Sequence, residues 1–393
     1  MKIIIIIFLG IQLFSLPGLA QNNIDTILKQ VENNSKSISA NKKYWDAKRL
    51  GYKTNLSLYD PQVEYDYLWG SPAIGGNQQD FSVTQRLDFP TAYKRKKEFS
   101  KEQITQSAIQ ESVFRQDILL ETKYVVLELI YLNKKYAELN RRFTHTEQLL
   151  INYEKKLDKG DVIILDVNKA KLQLLNIKNE VALNQNEKQI ALTKLAELNG
   201  GITVQVNDTL FPALPLIPDF ETLDSTIEAN DPLIKVYEQE KLVLQQQISL
   251  QKAMNWPKIE AGYHSQGILG QTYKGFHAGI TVPLWENKNK VKSTEASLDH
   301  AIVDADRHRL EHRMENKRLF EQLEVRKNAM QEYVVLLGSL NNTELLNKAL
   351  RLGEITITQY FLDQAYYFSA YDQYMRMEKE YHIVVAELYK YKL

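Results

Sequence analysis

The 393-residue sequence contains no cysteine. That excludes disulfides, thiolate metal sites, a cysteine nucleophile and a thiol to carry an N-terminal lipid. No charge of one sign predominates: Lys+Arg and Asp+Glu both number 49, so nothing in the balance points to a nucleic-acid partner. Beyond the N-terminal stretch there is no run of 18 apolar residues, hence no candidate transmembrane helix. From Thr91 to about Leu157 there is neither proline nor glycine, and nothing there interrupts a helix. The signatures of enzymes are missing as well: no G-x-S-x-G, no phosphate loop, no cofactor fingerprint and no paired carboxylates in an obvious cleft. Neither enzymatic activity nor a cofactor is expected.

The sequence opens MKIIIIIFLGIQLFSLPGLAQ. Lys2, a mostly apolar run from Ile3 to Phe14 and a small-x-small site at Gly18 and Ala20 predict a secretory signal peptide over residues 1–20. An exported chain with no membrane helix is either soluble or part of a β-barrel.

Two halves repeat one pattern. "YDPQVEYDYLWG" (59–70) is answered by "NWPKIEAGYHSQG" (255–267), and "SVTQRLDF" (82–89) by "GITVPLWE" (279–286), with 196 and 197 residues between matching positions. All four runs alternate. Val63, Tyr65, Tyr67 and Trp69 oppose Gln62, Glu64 and Asp66; Ile280, Val282 and Leu284 oppose His277, Gly279 and Thr281. Strands are expected at about 61–70, 80–90, 257–267 and 275–285, near the length at which a tilted strand crosses a bilayer. Tyr67, Trp69, Phe89 and Trp285 near their ends suit membrane interfaces. A soluble hairpin with one wet face shows the same alternation.

Apolar residues at Ile118, Val125, Leu129, Leu132, Tyr136, Leu139 and Phe143 follow a heptad seam, with Thr122 in its one gap. Helices are expected at about 91–157 and 161–199, then at 287–351, broken only by Gly338, and 354–393. The longer ones would be rods of roughly 100 Å. Shorter helices are expected at about 36–56 and 231–255. Gly160 and Gly353 end the long helices, as residues that tolerate a left-handed cap. The repeats thus run 21–200 and 231–393. Gly200, Gly201, Pro212, Pro215 and Pro218 keep 201–230 from continuing the helix, and this equatorial belt is expected to wrap the bundle at mid-height. Four membrane-competent strands are too few to close a barrel. Three copies would give 12 strands and a backbone diameter near 24 Å.

These features, with the paired turns "DKGDVIILDVNKA" and "RLGEITITQYFLDQA", resemble the TolC-like outer-membrane efflux factors over essentially the whole sequence. The wording "GEITITQYFLDQAYYFSAYDQY" resembles in particular the outer-membrane components of heavy-metal cation pumps. The resemblance implies a homotrimer in outer-membrane lipid, its 12-stranded barrel continuing into a periplasmic barrel of helices. It implies a passive exit duct for solutes such as heavy-metal cations or drugs. Its tip would dock a periplasmic adaptor and, through it, an inner-membrane pump of the resistance-nodulation-division type. Lys159, Gly160, Asp161, Leu352, Gly353 and Glu354 match adaptor-contact positions; the two glycines also serve simply as helix caps. The family rings its pore aperture with carboxylates. Asp166 matches the first acidic place, Gln359 occupies the second motif's acidic place, and Asp363 falls one residue later than the pattern. A solvated helix face or an intersubunit hydrogen bond also accounts for Asp166. The aromatic stripe from Tyr360 to Tyr381 reads as packing. In "HRLEH", His308 and His312 have a metal-compatible i, i+4 spacing with His300 two turns away, but the HExxH signature is missing and a wet helix face explains them. The rival to a duct is a secreted or envelope-associated coiled-coil spacer without channel activity. It would share the heptads, yet would not need two hairpins of membrane length at matching places.

Overall fold

The computed structural model describes residues 18–71, 76–213, 215–340 and 342–393. The apolar run Ile3–Phe14 lies outside them, and Gly18–Asn34 forms the first helix, α1. Contacts divide the chain into two units. Residues 18–38, 116–227 and 316–393 make the first; residues 39–115 and 228–315 make the second.

The sheet belongs to the second unit. Its strands β1 (Gln62–Leu68), β2 (Gln78–Leu87), β3 (Lys258–Ile268) and β4 (Gln271–Thr281) run antiparallel in chain order. The central pairing joins distant segments, from Gln78↔Ile268 to Leu87↔Ile259. Register places like with like: Val63, Val83, Tyr263 and Phe276 form one cross-strand row, while Glu64, Ser82, His264 and Gly275 form the next row on the opposite face. The apolar face is uncovered, with Phe276 95% and Ile280 73% exposed. Among the described residues β1 and β4 are each paired on one side only.

The last strand lies further toward the N-terminus than its alternation suggests. Leu269 and Gly270, with φ of 51° and 79°, make a two-residue reversal, and positive φ at both positions matches the twist of the flanking strands. "QTYKG" therefore belongs to β4 rather than to a loop. Val282, Leu284 and Trp285 fall past the strand end, where Pro283 has no N–H to give the ladder.

Most of α2 (Lys36–Tyr52), all of α6 (Pro232–Ala253) and the first parts of α3 (Pro90–Asp158) and α7 (Lys290–Ser339) join the sheet in this unit. Proline at the first turn of α3 and of α6 costs no hydrogen bond, and the Asp231 side chain caps α6 by accepting from Leu233 N–H at 2.9 Å. The strand-to-helix passage after β2 is fastened by Phe89 stacked on Trp256 at 5.1 Å and by Lys96 Nζ 2.7 Å from the buried Asp88. Across α2 and α3, Arg49 pairs with Glu111 at 2.8 Å.

The core of the first unit surrounds residues 119–133 of α3, where Leu119, Val126, Leu127, Leu129, Ile130 and Leu132 are all buried. A helix apolar on so many sides has to be enclosed. Ile24, Ile27 and Val31 of α1 and Leu195 and Leu198 of α4 (Ile164–Leu198) do so. The proline-rich segment is held by Asn133, whose Nδ2 donates to the carbonyls of Val206 and Asp208 at 2.8 and 3.0 Å. This segment ends in a helix, α5 (Phe220–Asn230). Leu223 and Ile227 are buried there against Leu323 of α7 and the aromatic end of α9 (Ile357–Leu388).

The second long rod is two helices. α7 passes through Gly338 and stops at Ser339, whose Oγ donates to Leu336 carbonyl at 2.7 Å. α8 covers Asn342–Leu352. Serine and asparagine compete for backbone hydrogen bonds, and "GSLNNT" concentrates them.

Gly200 tests how tightly α1 is docked. Its φ is +70°, and a Cβ there would lie 2.3 Å from the Asn34 carbonyl oxygen. Gly160, with φ +77°, has open space around it. Gly200→Ala is expected to cost about 2–4 kcal/mol and Gly160→Ala about 1–2 kcal/mol, the left-handed strain alone. Melting followed by circular dichroism in detergent measures both, and equal losses would show that the Asn34 contact yields freely.

Candidate functional site

Two helix ends in the first unit are built alike. At Gly160 (φ +77°) the N–H of Asp161 reaches the Lys156 carbonyl at 2.9 Å and that of Gly160 reaches Leu157 at 2.9 Å. At Gly353 (φ +76°) Glu354 N–H reaches Ala349 at 2.9 Å and Gly353 N–H reaches Leu350 at 3.3 Å. Both are Schellman ends, which satisfy the last helical carbonyls while reversing the chain. α4 then begins at Ile164 after Ile163, which gives no side-chain cap, and α9 begins after Thr356, whose hydroxyl accepts from Gln359 N–H at 3.2 Å.

One apolar cluster joins the two turns. Tyr153, Val167, Ala170, Leu350, Ile357 and Tyr360 are buried together. At its centre the Tyr360 hydroxyl donates to Asn347 Oδ1 at 2.8 Å, accepts from Gln364 Nε2 at 2.7 Å and lies 2.6 Å from His145 Nε2. A phenol has one proton to give. With it committed to Asn347, His145 must be the donor, so the imidazole proton sits on Nε2. One side chain of the aromatic stripe therefore ties α3, α8 and α9 together. Burial pushes the Tyr360 phenol up, and it pushes the His145 imidazole down, helped by the Arg141 charge and opposed by the Asn347 bond.

The positions expected to ring an aperture, Asp166, Gln359 and Asp363, lie within the first two turns of α4 and α9. Asp166 is half-buried and 3.4 Å from Lys169 Nζ, which also donates to Thr358 Oγ1 at 2.7 Å. Lys169 thereby links the two turns and offsets part of the Asp166 charge. Sequence reasoning passed over Lys169, although its i, i+3 spacing from Asp166 is a legible sign of pairing. The Asp166 charge, after burial, adds to the upward push on the Tyr153 phenol. Gln359 and Asp363 meet each other, Nε2 to Oδ1 at 2.9 Å.

Of the six turn positions, Lys159 and Asp161 line a cleft of about 720 Å³ between the end of α3 and α8. Lys155, Lys156, Lys348 and Arg351 line it too, giving five cations against the carboxylates of Asp161 and Glu344. Leu352 is 59% exposed beside it.

The histidines of "HRLEH" are engaged in the second unit. His308 stacks on Tyr237 with centroids 4.2 Å apart, and His312 Nε2 lies 3.3 Å from Asp231 Oδ2, while His300 is exposed. Among the described residues no group of three or more histidine or carboxylate side chains is placed to hold a metal ion.

Long helices reversed at glycine turns, with an open four-stranded meander apolar on one face, make a fold shared with solved outer-membrane channels. Three solved structures show it. The outer-membrane channel OprN matches with a TM-score of 0.77 at 15% identity, over 94% of this chain and 89% of that one. CusC, described for its folding and transmembrane channel formation, matches at 0.72 and 15%, over 94% and 92%. The CmeC outer membrane channel of Campylobacter jejuni matches at 0.69 and 13%, over 94% and 85%. No protein-family model and no curated protein matches the chain.

Proposed function

We propose that the protein is the outer-membrane exit duct of a tripartite efflux system, working as a homotrimer. The observation that carries this is the sheet: four strands whose outer edges, among the described residues, are each paired on one side only, with a bare apolar face. Hydrocarbon does not tolerate open strand edges, and single-chain barrels begin at about 8 strands. Three copies supply 12. Leu165, Leu172, Leu183 and Ile190 along α4, each more than half exposed, give the helical part an apolar face for the neighbouring copy. The shared fold of solved outer-membrane channels supports the same reading.

In this reading the N-terminal signal exports the chain and the polar sheet face lines the lumen. The turns at Gly160 and Gly353 form the periplasmic tip, and the surplus of cations in the adjacent cleft suits an adaptor with acidic docking side chains. The pump behind that adaptor, of the resistance-nodulation-division type, selects the cargo, heavy-metal cations or drugs. The duct itself performs no chemistry.

Extraction from envelopes should require detergent and yield a particle of three-subunit mass that conducts ions in planar bilayers. A single-subunit mass together with no conductance would sink the proposal. Asp166, repeated three times around the axis, should attract multivalent cations. Asp166→Asn is expected to weaken block by hexaamminecobalt(III) by about tenfold or more, some 1.4 kcal/mol, and Lys169→Met to strengthen it. Unchanged block in both variants would remove Asp166 from the aperture.

A further inference from the structure

The polar face of the sheet carries two histidines that the duct reading does not use. His264 on β3 sits in the row Glu64–Ser82–His264–Gly275, and His277 on β4 in the adjoining polar row Gln62–Thr84–Gly262–His277. The third row holds Arg86 and Glu260 opposite each other, followed by Gly279. Arg86 Nε donates to Glu260 Oε2 at 2.7 Å, and the other oxygen of Glu260 is 3.4 Å from His277 Nε2. Ser82 Oγ donates to Glu64 Oε2 at 3.4 Å, directly beside His264. These side chains share one shallow cavity of about 290 Å³ on this face.

Glycine makes room for them. Gly262, Gly275 and Gly279 occupy polar-face places around the two imidazoles. A Cβ at Gly262 would come within 2.5 Å of the Val83 carbonyl oxygen, and one at Gly279 would touch His277 Nε2 at 3.5 Å. Both imidazoles are therefore seated on bare backbone, next to carboxylates and open to the water on that face.

We infer that His264 and His277, together with Glu64, Arg86 and Glu260, form a titratable belt that sets the ion selectivity of the barrel lumen. The inference rests on the proposed duct, in which this face lines the pore. Imidazole is the side chain whose charge changes between about pH 5 and 8. With both rings neutral, the five groups carry one net negative charge per chain; with both protonated, one net positive charge. Three copies turn a ring of three negative charges into one of three positive charges. Other charged groups also lie on this face. Asp66 and Asp80 lie one row nearer the β1–β2 turn, and Lys258 lies past Arg86, paired with Glu286 at 3.1 Å. Fields of several kT arise where charge of one sign lines a narrow channel, so protonating the belt weakens its preference for cations over anions.

The test is the reversal potential of the full trimer in planar bilayers under a KCl gradient, taken from pH 8 to pH 5.5, where carboxylates remain mostly charged. The potassium-to-chloride permeability ratio should fall by about threefold or more. His264→Gln/His277→Gln should flatten that dependence while leaving conductance in place. His277→Lys, which fixes one positive charge per chain and makes the belt neutral at pH 8, should lower the ratio at pH 8 below the wild-type value even if the double variant fails to assemble. A wild-type ratio that ignores pH, or a double variant that keeps the full dependence, overturns the belt and leaves the duct standing. A trimer that passes no current overturns the duct, and the belt with it.

Discussion

Arg142→Ala is expected to destabilise the first unit by about 3–5 kcal/mol, the cost of breaking a buried ion pair and leaving charge uncompensated. Arg142 is 4% exposed. Its Nε donates to Glu138 Oε1 at 2.8 Å, and its two terminal nitrogens donate to the two oxygens of Asp372 at 2.7 and 3.0 Å. The guanidinium also lies over the Phe368 ring, 4.1 Å from its centroid. Bidentate geometry and the aromatic face both suit arginine and not lysine, so Arg142→Lys should recover only part of the loss. Alanine leaves Glu138, itself 9% exposed, paired with Arg141 alone among the described residues. If uncompensated charge is the cause, adding Glu138→Gln and Asp372→Asn to Arg142→Met should restore much of the stability. Melting in detergent, with hydrogen exchange over residues 138–146 and 368–376, measures this; a loss below about 1 kcal/mol would show that water already reaches the pair. Arg142 is 18 residues before Gly160, and Asp372 is 19 after Gly353, roughly 27–29 Å of helix from each turn. The clamp fixes α9 to α3 at that height. Between that clamp and the two glycine turns, the Tyr360 hydroxyl ties α9 to α3 and α8.

What could be read from the sequence was local. Gly160 and Gly353 mark reversals because a left-handed cap is a property of one residue and its immediate neighbours. Alternation of Ser82 with Val83 marks a strand because the side-chain period is two. Lys169 was within reach on the same grounds, one helical turn from Asp166. The clamp was not: Arg142 and Asp372 are 230 residues apart, and each alone looks like a solvated charge. Tyr360 was legible as packing, but its partners His145 and Asn347 come from other helices, and no spacing announces a hydrogen bond across 215 residues. Strand ends were displaced for a related reason. The Leu269–Gly270 reversal depends on backbone twist, whereas the polarity of "QTYKG" suggested a loop. The break between α7 and α8 was assigned to Gly338, the weaker helix former, yet it falls after Ser339, where side chains compete for the backbone. The metal-compatible spacing of His308 and His312 could not reveal that Tyr237 and Asp231, at the start of α6, already face them.

Acid should loosen the first unit through His382. The ring is 7% exposed and stacks on Phe211 with centroids 4.6 Å apart. Burial, reinforced by the charges of Lys134 and Lys123, pushes its pKa down to about 4. An unfolded histidine titrates near 6.5. Between these values the unfolded chain takes up a proton that the folded chain refuses, so stability falls as pH drops from about 6.5 to 4 and is fully retained above that window. The shift corresponds to about 3 kcal/mol at its limit. His145, also pushed down by burial, adds to the loss in the same direction. His382→Phe keeps the stack on Phe211 without a titrating group. Its melting curve should therefore lack the His382 share of the pH dependence, retaining only what His145 and the carboxylates contribute. Parallel curves for the two proteins from pH 7 to 4 would acquit the imidazole. Phe211 lies in the proline-rich segment that Asn133 holds against α3. Charging His382 thus pits a cation against that segment's aromatic anchor while Lys134 and Lys123 repel it. Hydrogen exchange at residues 204–212 should rise first as pH falls, before exchange in the buried stretch of α3. The acid response then begins in the proline-rich segment rather than at the glycine turns.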